Sequence, residues 1–94
     1  MNFGQALESL KLGSKVARAG WNGKGMFIYL VRGSILEAHE LRKEAEKHVG
    51  ESLPPFTDVK ICSHIDMKAA DGSIVVGWLA SQTDMLAEDW VVVL

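Results

Sequence analysis

Nine consecutive residues, Arg18-Ala19-Gly20-Trp21-Asn22-Gly23-Lys24-Gly25-Met26, set one large flat ring among glycines, an amide, a thioether and two cations. Late in the chain, Trp78-Leu79-Ala80-Ser81-Gln82-Thr83-Asp84 puts a second ring beside hydroxyls, an amide and a carboxylate, and Asp89-Trp90 carries the third tryptophan. This combination suits noncovalent recognition, because an aromatic face stacks on a planar ligand while short polar side chains bond to its edges. The candidate binding residues are Arg18, Trp21, Asn22, Lys24, Met26, Trp78, Ser81, Gln82, Thr83 and Asp84. The competing reading is structural, since tryptophan is usually highly buried, and the sequence leaves both readings open for any one ring.

Other constellations are weaker. His64-x-Asp66 puts two potential metal ligands on one face of a strand, but a catalytic zinc takes three protein ligands, and His39 and His48 have no ligand-like spacing to His64. No metal or cofactor is expected. Ser81, His64 and Asp84 are the groups of a nucleophilic triad, yet Ser81 lacks the glycines that flank a nucleophile elbow, so no catalytic residue is assigned. Gly20, Gly23 and Gly25 open no helix and are not a dinucleotide fingerprint. They make a turn, and they let backbone amides approach an anion. Capping of a short helix accounts for Asp84, and Asp89 marks the entrance of a strand.

The 94 residues, 48% hydrophobic and 23% charged, describe one globular domain. A chain of this length buries only roughly 60 to 65% of its unfolded surface, so self-association would help to stabilise it. A net charge of −2 gives no basic footprint for a nucleic-acid polymer. One cysteine, Cys62, allows no intrachain disulfide and fits a reducing cytoplasm. Neither a secretory signal nor a membrane span is expected.

The elements that must position the rings can be read from period and punctuation. Phe3, Ala6, Leu7 and Leu10 form the stripe of an amphipathic helix over residues 2–12, with Asn2 and Gln5 as a capping box and Gly13 as the stop. Residues 15–19 and 26–31 predict a hairpin around residues 21–25, where Asn22-Gly23 suits the positive φ of a tight turn. Residues 33–57 are a charged, partly helical excursion, with a helix over 37–48 that Pro54-Pro55 ends. A strand over 59–67, an Asp71-Gly72 turn, a partner strand over 73–79, a helical turn at 85–87 and a final strand over 89–94 complete the order. The predicted fold class is α+β, an N-terminal helix packed on an antiparallel sheet of about five strands. Trp21 and Trp78 fall at loop edges, whereas Trp90, leading into Val91-Val92-Val93, reads as core or interface.

Several blocks in the same order carry a resemblance. Met1-Asn2-Phe3-Gly4-Gln5-Ala6-Leu7, residues 17–26, His64-Ile65-Asp66-Met67-Lys68 and residues 78–90 resemble the Thoeris anti-defence family, type two, over everything but the excursion. The resemblance implies a bacteriophage sponge in the cytoplasm of the infected cell. Such a protein binds a cyclic ADP-ribose-type signal made by a TIR-domain enzyme and holds it uncleaved, so that the effector stays inactive. It further implies a homotetramer with pockets between subunits, and in some relatives capture of cyclic dinucleotides at a separate site.

On those terms Trp21 and Trp78 stack on the adenine or line the ribose, and Arg18 or Lys24 pairs with the pyrophosphate, Arg bidentately. Asn22, Ser81, Gln82, Thr83 and Asp84 then meet ribose hydroxyls and the base edge. One departure is expected to loosen the wall: relatives commonly have proline directly before the tryptophan matching Trp78, and this chain has Val76-Gly77. Two other functions stay in play. One is a protein-binding inhibitor using exposed rings and the charged helix, and the other is an enzyme cleaving the signal with His64, Ser81 and Asp84.

Overall fold

A computed structural model describes residues 1–94 as two compact units, one of residues 1–31 with 64–94 and the other of residues 32–63. The first unit begins with helix α1 (Phe3–Lys11), capped as its sequence predicts. Asn2 Oδ1 accepts from the Gln5 N–H at 2.8 Å, and Gln5 Oε1 accepts from the Asn2 N–H at 2.8 Å. Two of the four unpaired amides of the first turn are satisfied in this way. The predicted stripe is the buried one: Ala6 and Leu10 are sealed, and Phe3 and Leu7 pack at the core margin.

Helix α1 covers one face of a five-stranded antiparallel sheet. Its strands are β1 (Lys15–Arg18), β2 (Phe27–Val31), β5 (His64–Lys68), β6 (Ile74–Val75) and β7 (Trp90–Val93), in the spatial order β6-β5-β2-β1-β7. Alternation along the strands selects the face. Val16, Ile28 and Met67 point to the helix and join Ala6, Leu10 and Trp90 in the core, with Val16 opposite Ile28 and Ile28 opposite Met67. Full burial of a side chain the size of Ile28 or Leu10 is worth roughly 1.5–3 kcal/mol, which makes this layer the main source of stability.

Two local expectations change. The strand expected over 73–79 is reduced to two residues, because Gly77 turns the chain with φ +79°. The turn between β1 and β2 takes its positive φ at Gly25 and not at Gly23. Gly23 is required for space instead, since a Cβ there would lie 2.5 Å from Met26 Sδ and 2.7 Å from Ala70 Cβ.

The second unit corrects the reading of the excursion. It holds a two-stranded antiparallel sheet of β3 (Ser34–Glu37) and β4 (Asp58–Ile61), in register from Ser34 opposite Ile61 to Glu37 opposite Asp58. Between them run a 3-10 turn (Ala38–Glu40), helix α2 (Lys43–His48) and a second 3-10 turn (Gly50–Ser52), with Ala38 and Leu41 buried. The continuous helix expected over 37–48 is interrupted at Leu41 and Arg42, both in extended backbone. The single strand expected over 59–67 is in fact two, divided at Cys62-Ser63 so that one half serves each sheet. Four-residue strands offer too few alternations for period to reveal them.

Candidate functional site

The last residue of β1 organises the site. Arg18 Nε donates to Asp89 Oδ1 and Arg18 Nη1 donates to Asp84 Oδ1, both at 2.9 Å. The second Asp89 oxygen accepts the Gly20 N–H at 2.7 Å, so one carboxylate clamps β1 and the loop that follows it. Asp84 is the more connected partner. Its Oδ1 also accepts the Trp21 indole N–H at 3.2 Å, and its backbone carbonyl accepts the Trp90 indole N–H at 2.9 Å. It sits third in helix α3 (Gln82–Leu86), where Ser81 Oγ takes the Asp84 N–H and the Asp84 carboxylate faces the Ser81 N–H, a capping box. The capping expected for Asp84 is present, but most of its side-chain bonding goes to Arg18 and Trp21.

These bonds hold three indoles in a corner. Trp21 and Trp78 meet at 67° with centroids 6.4 Å apart, Trp21 and Trp90 at 79° and 5.3 Å, Trp78 and Trp90 at 81° and 6.2 Å. Mutually near-perpendicular rings satisfy the edge-to-face preference of aromatic quadrupoles. Phe3 of α1 closes the cluster from below, 5.4 Å from Trp90 and 6.4 Å from Trp78. Trp90 is wholly buried and is the floor, whereas Trp21 and Trp78 are half-buried walls with one side toward solvent. The division of the three rings into one core residue and two at loop edges therefore stands.

Of the ten residues singled out from sequence, Arg18, Trp21, Trp78, Ser81 and Asp84 belong to this cluster or its capping box. Met26 is half-buried against the core beside Gly23. Asn22 and Lys24 are exposed on the β1–β2 loop, and Gln82 and Thr83 are exposed on the first turn of α3. The expected bidentate pairing of Arg18 with a pyrophosphate does not match this geometry, because two of its three nitrogens are already taken by carboxylates of the same chain. The loosened wall at Val76-Gly77 is not seen either. The Gly77 N–H donates to the buried Asp66 at 3.0 Å and the Trp78 N–H to the Ile65 carbonyl at 2.7 Å. Proline has neither that N–H nor access to positive φ, so glycine fixes the wall here.

Asp89, Phe3 and Gly20 are the participants that sequence reasoning missed. A signal existed for the first: a lone arginine beside a glycine-rich turn needs a carboxylate when the turn is packed, and Asp89 adjoins Trp90. His64 Nε2 stands 3.5 Å from Asp66 Oδ1, while the Ser81 hydroxyl caps α3. In the second unit, Glu37, His39 and Glu40 bring ligand atoms within 4.8 Å of one another, with Glu40 accepting the Glu37 N–H and so capping a turn.

The network predicts an acid response. The hydrogen bond from Arg18 leads in holding the Asp89 carboxyl below its ordinary value. For Asp84, burial pushes upward, but the bonds from Arg18, Trp21 and Ser81 outweigh it and leave the group lowered. Carboxyls depressed in the folded chain contribute stability that is present above their unfolded value, near 3.8, and lost as pH falls through the folded values. The melting temperature is expected to be level above about pH 5 and to descend below about pH 4. Asp71, lowered by the Ser73 hydroxyl, adds to the descent. Thermal unfolding of an Asp84→Asn, Asp89→Asn double variant should show a shallower descent from a lower plateau; an unaltered slope would assign the acid response to other groups.

Fold and cluster together define a small α+β protein with a half-exposed aromatic corner locked by in-chain ion pairs. Residues 1–93 match the family described as Thoeris anti-defense 2-like domain. The chain is also 43% identical over 93 residues to Thoeris anti-defense 2 of Bacillus phage SP01, covering 99% of this chain and 94% of that protein. The chain belongs to the Thoeris anti-defense 2-like family, and its role is phage anti-defence.

Proposed function

We propose that the chain is a sponge that binds a cyclic ADP-ribose-type immune signal and holds it uncleaved, keeping the host effector inactive in the cytoplasm of the infected cell. The observation that carries this reading is the rigid corner of Trp21 and Trp78. Both rings are fixed by in-chain contacts before any ligand arrives, so little ordering cost is left for binding. Both rings are part-exposed, and stacking of a base or ribose on either contributes about 1–3 kcal/mol. Lys24, exposed on the loop of Trp21, supplies the charge for the pyrophosphate in place of the committed Arg18. Asn22, Ser81, Gln82 and Thr83 supply edge contacts from the two flanking segments. Sequestration needs no general acid or base, only a slow off-rate.

The functional unit is a homotetramer with pockets completed between subunits. Apolar surface beside the corner supports this, since Leu79 is 90% exposed and Leu86 is 80% exposed. Side chains of that kind gathered around polar groups mark surfaces that bind a partner. The test is capture and release. Purified protein incubated with a panel of cyclic ADP-ribose isomers and cyclic dinucleotides, washed and heat-denatured, should yield intact cyclic ADP-ribose-type nucleotide to mass spectrometry. Release of nothing would sink the sponge reading, and recovery of a linear product would replace it with cleavage.

A further inference from the structure

We propose that Asp66 is a positioning residue for the Trp78 wall: its buried carboxylate holds the Gly77 N–H and through that bond fixes how Trp78 enters the ring corner. The wall's part in capture rests on the sponge reading, whereas its tether is a property of the fold alone. A role follows for the His64-x-Asp66 pair, for which the sequence offered only an incomplete ligand set and an incomplete triad.

Pairing between β5 and β6 ends with Met67 opposite Val75. Beyond that point the chain turns at Gly77, with φ +79°, and the residues flanking the Gly77-Trp78 pair are left in solvent, Val76 72% and Leu79 90% exposed. Their packing does little to hold the segment. Two bonds to β5 take over: the Trp78 N–H donates to the Ile65 carbonyl at 2.7 Å, and the Gly77 N–H donates to Asp66 Oδ1 at 3.0 Å. A side chain thus continues a ladder that the strand has left, and two consecutive amides are fixed immediately before the ring.

Strand alternation separates this role from contact with the nucleotide. Ile65 and Met67 pack with the core, so Asp66 between them is turned to the other face of the sheet, while the Trp78 ring packs on Phe3 and Trp90 on the core side. Asp66 therefore acts through the Gly77 backbone. It is 6% exposed, and burial of a carboxylate is costly unless its oxygens are bonded. Here Oδ1 takes the Gly77 N–H and lies 3.5 Å from His64 Nε2. Gly77 itself is exposed, so water can satisfy its N–H when the carboxylate is removed, and the fold survives while the wall loosens.

The whole chain labelled with 5-fluorotryptophan gives one fluorine signal per ring, assigned with Trp21→Phe and Trp78→Phe. Without nucleotide, Asp66→Ala is expected to broaden or split the Trp78 signal while those of Trp21 and Trp90 stay single; general destabilisation would disturb all three. Capture of a cyclic ADP-ribose-type nucleotide by this variant should weaken about tenfold, as for a wall in place roughly one-tenth of the time. Asp66→Asn, whose amide oxygen still accepts, should stay within about threefold of the parent. In the parent, the Gly77 amide should exchange with heavy water at least about tenfold more slowly than in a free chain, a measurement that decides the matter even if the alanine variant does not fold. An unmoved Trp78 signal in a folded alanine variant, an asparagine variant as impaired as the alanine one, or a Gly77 amide exchanging at the free-chain rate overturns the proposal. A parent that captures nothing overturns the sponge reading instead, and the fluorine spectra, recorded without nucleotide, still decide the tether.

Discussion

Trp21→Ala should weaken capture of a cyclic ADP-ribose-type nucleotide about 5- to 150-fold, the equivalent of 1–3 kcal/mol of lost stacking, while the circular dichroism spectrum stays that of the parent. The ring is half-buried and its far side packs on the core, so a stability loss of roughly 2 kcal/mol accompanies the substitution. That is tolerable in a domain stabilised by several times as much. Trp21→Phe separates two contributions. It keeps an aromatic face but gives up the indole N–H that Asp84 accepts at 3.2 Å, releasing the ring from its tether. Capture should fall between parent and alanine variant, mainly through a faster off-rate. Equilibrium capture measured against the folded fraction decides the matter, and an alanine variant that binds like the parent removes Trp21 from the site.

Trp90→Ala should be the most damaging single change to the fold. Its indole is 0% exposed, lies 5.3–6.2 Å from Trp21, Phe3 and Trp78, and donates to the Asp84 carbonyl. Truncating a buried tryptophan to alanine costs about 3–5 kcal/mol, and a domain of this length loses roughly 4–8 °C of melting temperature per kcal/mol. A fall of about 15–30 °C is expected, together with loss of capture, since both wall rings rest on this floor. Trp90→Phe refills part of the volume but leaves the Asp84 carbonyl without its donor, at a cost of about 1–3 kcal/mol. Calorimetry checks both variants. An alanine variant melting within a few degrees of the parent would show that the corner is not built on Trp90.

How far the site could be read beforehand follows the range of the interactions involved. The capping box of Asn2 and Gln5 spans three residues, and Phe3, Ala6, Leu7 and Leu10 repeat within one helix, so local sequence contains everything needed to place α1. The loop positions of Trp21 and Trp78 were legible because turn residues flank them. The occupation of Arg18 was not, because its partners Asp84 and Asp89 lie 66 and 71 residues away and meet it only when β7 pairs with β1. Nor was the division at Cys62-Ser63, where one apolar stretch is shared between two sheets and no change of pattern marks the break.

By itself, the sequence determines an α+β chain with a capped amphipathic helix, a hairpin with Trp21 at its turn, and two ring-bearing segments rich in small polar groups. Those features are written in short-range period and punctuation, which do not depend on where the rest of the chain goes. Only the tertiary structure decides that Trp90 is floor and Trp21 and Trp78 are walls, and that Arg18 serves the scaffold. It also brings Asp66 of β5 to the Gly77 N–H beside Trp78. Each of these depends on strand register, and register comes from packing the whole core at once, which no segment's own residues specify.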